Sequence, residues 1–259
     1  MTGFYTMATS LGAAIAGGAT VPLTFSFAGS WPAALGIWAV PVAIAAAIWL
    51  PQLRAKTALT ARTSAPVRRL WTDPLAWQVT FFMGLQGSFA YIVFGWFVPI
   101  LRDRGVGADE AGFILSIGIV AQAIGALVTP MIAARIRDQR ASISLAVIFV
   151  VVGLFGCMYA PLSGVYLWST VLGFSRGATF SLAITVIVLR SPNAHVATYL
   201  SGMSQTVGYL IACLGPLAAG LLRAWTGDWN LAAVFFGLIG LFAIFFGIGA
   251  GRRLHVRAA

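Results

Sequence analysis

The chain has 259 residues, 60% of them hydrophobic and 8% charged, with a formal net charge of +10 and a mean hydropathy of +0.93. A water-soluble domain carries roughly a quarter of its residues as charges, so a surface facing mostly water is excluded and one facing lipid is expected. The sixteen basic residues fall in short clusters between long apolar runs, not as a patch on a polar domain, which argues against a nucleic-acid partner.

A membrane-crossing helix needs about 20 apolar residues. Eight segments qualify, at 4–27, 31–50, 74–101, 108–135, 141–160, 162–190, 198–223 and 229–251. The predicted class is therefore an all-α integral membrane protein. Ser30-Trp31-Pro32 separates the first pair, and Asp73-Pro74 opens the third. Ser191-Pro192-Asn193 breaks before the seventh, and Gly227-Asp228-Trp229 turns into the eighth. Only a tight turn at Pro161-Leu162-Ser163-Gly164 divides the fifth from the sixth. Met1 leads into an apolar run with neither a basic leader nor a cleavage site, so no signal peptide is expected. The linker 51–73 is polar, contains Pro and is the one long connection; it reads as a cytoplasmic join between two helix bundles.

Eight spans place both termini on one side. On that side fall Arg54, Lys56, Arg62, Arg68, Arg69, Arg135, Arg137, Arg140, Arg190, Arg252, Arg253 and Arg257, against Arg102, Arg104 and Arg223 on the other. The bias predicts cytoplasmic termini and a multi-pass protein of the cell membrane.

The first and seventh spans share a weak pattern. Met7-Ala8-Thr9-Ser10-Leu11-Gly12 lines up with Met203-Ser204-Gln205-Thr206-Val207-Gly208, and Val21-Pro22-Leu23 with Gly215-Pro216-Leu217. Ala28-Gly29-Ser30-Trp31 answers Thr226-Gly227-Asp228-Trp229. If this is a repeat, spans three to eight form a complete six-helix unit at 74–259, and residues 1–50 are the last two helices of another. In a transporter of two parallel six-helix halves, four spans would precede this chain, which is then expected to be truncated at its amino end. Its expected partners are the lipid bilayer, a small-molecule solute, and the missing amino-terminal helices or another subunit.

The stretch from Gly173-Phe174-Ser175-Arg176-Gly177-Ala178-Thr179-Phe180 through Leu189-Arg190 to Leu200-Ser201-Gly202-Met203-Ser204-Gln205 resembles a known family. It is similar to the cyanate-permease and nitroimidazole-exporter branch of the major facilitator superfamily. Val207-Gly208-Tyr209-Leu210, Gly215-Pro216-Leu217 and Gly220 continue the likeness. Trp96-Phe97-Val98-Pro99 and Gly112-Phe113-Ile114-Leu115-Ser116 resemble that family's seventh and eighth helices. The resemblance implies spans five to twelve of a twelve-span fold, with the basic loop between the family's second and third spans absent.

Arg176, midway along the sixth span, is the sharpest candidate site residue. A guanidinium at membrane depth costs several kcal/mol unless it faces a cavity or a partner. Ser169, Gly173, Thr179 and Ala183 share its helical face as a small, polar stripe, so one reading is an anion site on the transport pathway. The other is an arginine held by a neighbouring helix. Thr179 joins Arg176 as a candidate solute contact, with Gln205 and Tyr209 on the seventh span beside Ser201, Gln86 on the third near Gln78 and Tyr91, and Gln122 on the fourth. Such groups either line a cavity or bond helix to helix. Gly173, Gly177, Gly208 and Gly215 read first as close-packing positions. Pro22 and Pro216 are places for a kink and candidate hinges.

Catalytic chemistry finds no support. His195 and His255 have no carboxylate or cysteine near them in sequence, and Cys157 and Cys213 sit apart inside apolar runs, so neither a metal nor a cofactor is expected. The acids Asp73, Asp103, Asp109, Glu110, Asp138 and Asp228 all lie near span ends, leaving no proton-relay carboxylate at membrane depth. The expected function is secondary transport of a small anionic or polar solute, cyanate-like or a small organic, by alternating access. The alternative is a truncated, non-transporting remnant or scaffold.

Overall fold

The computed structural model describes residues 23–54 and 68–257 apart from 134 and 137, with 8, 11, 12, 15, 16, 19 and 20 of the first segment. The described residues are helical or irregular, with no strand among them. Among the described residues, seven segments are long and apolar enough to cross a bilayer. Half of the first predicted span lies outside the described residues, Pro22 among them, together with Met7, Thr9, Ser10 and Val21 of the proposed repeat. The chain divides into two compact units, Gly12–Pro66 and the remainder.

In the smaller unit, helical residues up to Ser26 end in a turn where Ala28 and Gly29 both take positive φ, 52° and 82°. Helix α1 (Trp31–Gly36) follows, with Pro32 in its first turn, and α2 (Ala39–Arg54) continues after a two-residue break. The second predicted span is thus two pieces, and it runs past residue 50 to Arg54. The indole N–H of Trp38 donates to Thr20 Oγ1 at 3.1 Å, tying this segment to the preceding one. Nearly all side chains of α1 and α2 are exposed within this unit.

The larger unit packs six helices: α3 (Pro74–Asp103), α4 (Ala108–Ala133), α5 (Arg140–Tyr159), α6 (Val165–Leu189), α7 (Ala194–Thr226) and α8 (Asn230–Ala250). Their ends follow capping chemistry. Asp73 Oδ1 accepts from Leu75 N at 2.7 Å before α3, and Asn193 Oδ1 accepts from Val196 N at 3.0 Å before α7. The second cap starts α7 four residues ahead of the predicted 198. Gly227, at φ 76°, closes it in the left-handed conformation.

Small residues set two seams. Along α4 and α6 the facing residues are Ile114 and Ser169, Gly118 and Gly173, Gln122 and Gly177, and Ala126 and Ser181. Ser169 Oγ donates to the Ile114 carbonyl at 2.8 Å and Ser181 Oγ to the Ala126 carbonyl at 3.1 Å. Between those rungs, a methyl on Gly173 would overlap the Gly118 carbonyl, and one on Gly177 the Gln122 carbonyl. The α3–α7 seam has the same character. Thr80 and Ser204 hydroxyls lie 3.3 Å apart, Gly84 faces Gly208, Ser88 faces Gly215, and Trp96 fills the gap at Gly220 while its indole donates to the Pro216 carbonyl at 2.8 Å. Within a bilayer, where apolar association gains nothing from leaving water, such close approach and interhelical hydrogen bonding hold helices together.

The two ends of this unit are tied differently. At one end Arg190 donates to Gln139 Oε1, and the backbone N–H groups of Val256 and Arg257 donate to the Arg190 carbonyl and to Asp73 Oδ2. Arg252 Nη2 donates to Gln78 Oε1 at 2.8 Å, so Gln78 braces the tail rather than sharing a pathway with Gln86. Burial lowers the Arg190 guanidinium from its ordinary value, and the charge of Asp138 opposes that. At the other end Arg104 Nη1 donates to the Cys157 carbonyl at 2.5 Å, and Arg223 pairs with Asp103 at 2.9 Å.

Candidate functional site

Arg176 lies near the middle of the 25-residue α6 and is 5% exposed. Because Gly173 and Gly177 press α6 against α4, the arginine turns toward α3 instead. Its Nη2 donates to the Ala90 carbonyl at 3.3 Å, and its Cζ sits 4.9 Å from the centre of the Phe94 ring. Its Nε has no hydrogen-bond partner. Among the described residues the ion pairs are Arg140–Asp138 and Arg223–Asp103, both at helix ends, so no carboxylate neutralises Arg176. One long hydrogen bond and one aromatic face recover only part of the desolvation of a guanidinium. The remaining donors form an anion-seeking group sunk into the protein.

The small stripe predicted around Arg176 proves to be a packing surface in its first half. Ser169 and Gly173 are spent on α4, where a hydroxyl bond and backbone approach leave no room for a solute. Thr179 is buried and donates to the Arg176 carbonyl at 2.9 Å, the ordinary fate of a threonine inside a helix. Gln86 is 4% exposed and folds back onto the Met83 carbonyl at 3.1 Å. Gln122 is half-buried, with its backbone carbonyl in the seam opposite Gly177.

The other candidates stand more openly. Gln205, half-buried, donates to Ser201 Oγ at 2.7 Å, confirming their shared face on α7. Tyr209 meets Tyr91 of α3 edge to face, with ring centres 6.4 Å apart. Tyr209, Tyr91 and Phe94 are each 38–45% exposed. The structure therefore brings Arg176 together with Ala90 and Phe94, and Tyr209 with Tyr91, along one stretch of α3. Sequence reasoning missed Phe94, since an aromatic residue in an apolar helix carries no mark of the cation it will cover.

Gly208 and Gly215 are packing positions at which an added methyl would press on α3. Pro216 cannot donate to the Ala212 carbonyl, and its own carbonyl is held by Trp96.

Long apolar helices, one of them carrying a buried cation with no carboxylate partner among the described residues, define a multi-pass membrane protein. The sequence profile of the Major Facilitator Superfamily matches residues 1–216 and 97–255, and the chain belongs to that family. It is 35% identical over 259 residues to an uncharacterised transporter, YycB, of Bacillus subtilis (strain 168), covering 99% of this chain and 64% of that one. It is 33% identical to a 2-nitroimidazole transporter of Escherichia coli (strain K12), covering 99% and 65%. A cyanate transport protein, CynX, of the same organism is 30% identical over 232 residues, covering 88% and 60%. The chain thus spans just under two thirds of the length of these relatives.

Proposed function

We propose that this chain takes part in secondary active transport of a small anionic or polar solute across the cell membrane, with Arg176 as the cationic contact. The observation that carries the reading is the state of that guanidinium: 5% exposed, uncompensated by any carboxylate among the described residues, and with Nε unpartnered. An anion arriving at Arg176 would complete its hydrogen bonding and neutralise its charge in one step, and the driving force is large in a low dielectric. The similar proteins are a transporter of 2-nitroimidazole, a flat ring that suits the neighbouring Tyr91 and Tyr209, and one of cyanate, a small linear anion that suits the cation. Cyanate or a small planar organic molecule is accordingly the solute class we infer.

In this reading the six helices α3–α8 form one of two bundles that rock about a site at the bilayer midplane. Residues 1–50 contribute the last pair of the other bundle, and 51–73 the cytoplasmic linker. Both termini face the cytoplasm in this reading, which the charge bias supports. Gly173, Gly177, Gly208 and Gly215 keep the α3–α8 bundle rigid while it moves.

The test is transport of labelled cyanate and 2-nitroimidazole into proteoliposomes holding the protein or its Arg176→Gln and Arg176→Lys variants. Arg176→Gln is expected to lower transport at least tenfold, a loss of about 1.4 kcal/mol or more of solute stabilisation. Arg176→Lys is expected to be intermediate, because a point charge cannot reproduce the planar fork. Unchanged kinetics in Arg176→Gln would overturn the anion site. A second reading, a scaffold in which Arg176 only ties α6 to α3, draws on its bond to Ala90 and its packing on Phe94. It predicts loss of thermal stability in Arg176→Gln in protein that carries no solute at all.

A further inference from the structure

An apolar groove of the six-helix unit, not lined by Arg176, lies among α4, α5 and α6. It encloses 580 Å³ and is lined by Ile132, Leu145, Phe149, Phe174, Ala178 and Leu182, among others. Packing explains why it opens. α5 and α6 are pinned together where a methyl on Gly156 would overlap the Trp168 ring and one on Gly153 would come within 2.8 Å of Leu172 N. Toward the start of α5 the larger side chains of Ser142–Phe149 and Phe174–Leu182 leave space between them. Ile132, Leu145 and Phe149 are each more than half exposed, so the groove opens at the outer, apolar surface of this unit.

Its shape fits a hydrocarbon chain. The lining residues of α6 run from Thr170 to Leu182, about 18 Å of helix axis at 1.5 Å per residue. That is about the depth of one leaflet of a hydrocarbon core roughly 30 Å thick.

Its mouth is charged. Arg135 follows the end of α4 by two residues and is exposed; Arg140 opens α5, two residues before the lining Ser142. Among the described residues Asp138 lies 3.5 Å from Arg140, both side chains being about half exposed, and also accepts from the Arg140 backbone N–H at 3.0 Å. An exposed pair of this kind is weak. Arg190, at the same end, is buried and committed to Gln139.

We propose that this groove is a binding site for one anionic phospholipid, with an acyl chain along α6 and the phosphate between Arg135 and Arg140. The apolar walls reject a water-soluble anion, and two guanidinium groups at this end prefer a net negative headgroup over a zwitterionic one. The site is separate from the Arg176 surface and does not depend on what is transported.

Native mass spectrometry of the whole chain in detergent tests this, with dioleoylphosphatidylglycerol and dioleoylphosphatidylcholine as probes. The chain is expected to retain one phosphatidylglycerol at a concentration about tenfold below that needed for phosphatidylcholine. The exposed double variant Arg135→Gln with Arg140→Gln should erase that preference, while Thr170→Trp, which fills the groove from a partly open position, should weaken both lipids. Equal retention of the two lipids by the unaltered chain would overturn the proposal. So would a preference that survives the double variant, whether or not Thr170→Trp folds.

Discussion

At the scale of single residues, Arg176 is defined as much by its cover as by its charge. Phe94 supplies the face on which the guanidinium rests, and Ala90 its one backbone acceptor. Phe94→Leu keeps an apolar side chain of similar reach and removes the ring, so the resting arginine loses about 1 kcal/mol. Solute affinity is then expected to rise modestly, because the anion no longer competes with the ring for the cation; an equal or weaker binding constant, read by scintillation proximity with labelled solute, would contradict this. The position and chemistry of Arg176 were legible in the sequence, since one strong charge in a run of 25 helical residues cannot go unnoticed. Its partners were not. Ala90 and Phe94 sit more than 80 positions earlier, and nothing local to either records the contact. The stripe Ser169, Gly173, Thr179 and Ala183 stayed open between two readings for a related reason: a small residue looks the same from sequence whether it borders a cavity or the backbone of another helix.

For helices, the informative elements are α4 and α6. Their glycines were legible as packing positions from the GxxxG spacing, and the structure supplies the partner and the register. Gly177→Val should force the two helices apart against the Gln122 carbonyl and cost about 1–3 kcal/mol or more. Gly202→Ala, at a helical position with nothing within 4 Å of the added methyl, should leave the melting temperature in detergent unchanged or slightly raised. Equal melting temperatures for the two variants would refute the seam. Helix ends were read less well than helix existence. The start of α7 was placed four residues late because the apolar run does not begin until after the Asn193 cap has already fixed the first turn. The break between α1 and α2 has no Pro or Gly after Gly36 to announce it within Ile37-Trp38.

In the molecule as a whole, composition alone fixed the class, and the long apolar segments carried the family resemblance that the profile match establishes. Orientation is a matter for experiment: with Cys157 and Cys213 replaced by serine, Ser191→Cys should react with an impermeant maleimide only after the cytoplasmic side is opened. Asp228→Cys should react in intact cells, and the reverse pattern would invert the assigned topology. The two seams of the larger unit also have a consequence for inheritance. Between α4 and α6 facing residues keep a separation of 55 positions at every rung; between α3 and α7 it is 124 at Thr80–Ser204, Gly84–Gly208 and Trp96–Gly220, with a slip to 127 at Ser88–Gly215. A lineage that enlarges one member of such a couple must shrink the other to keep the backbones at the same distance. Homologous chains should therefore show side-chain volumes that trade against each other at those two separations, a pattern that could be looked for in sequences alone.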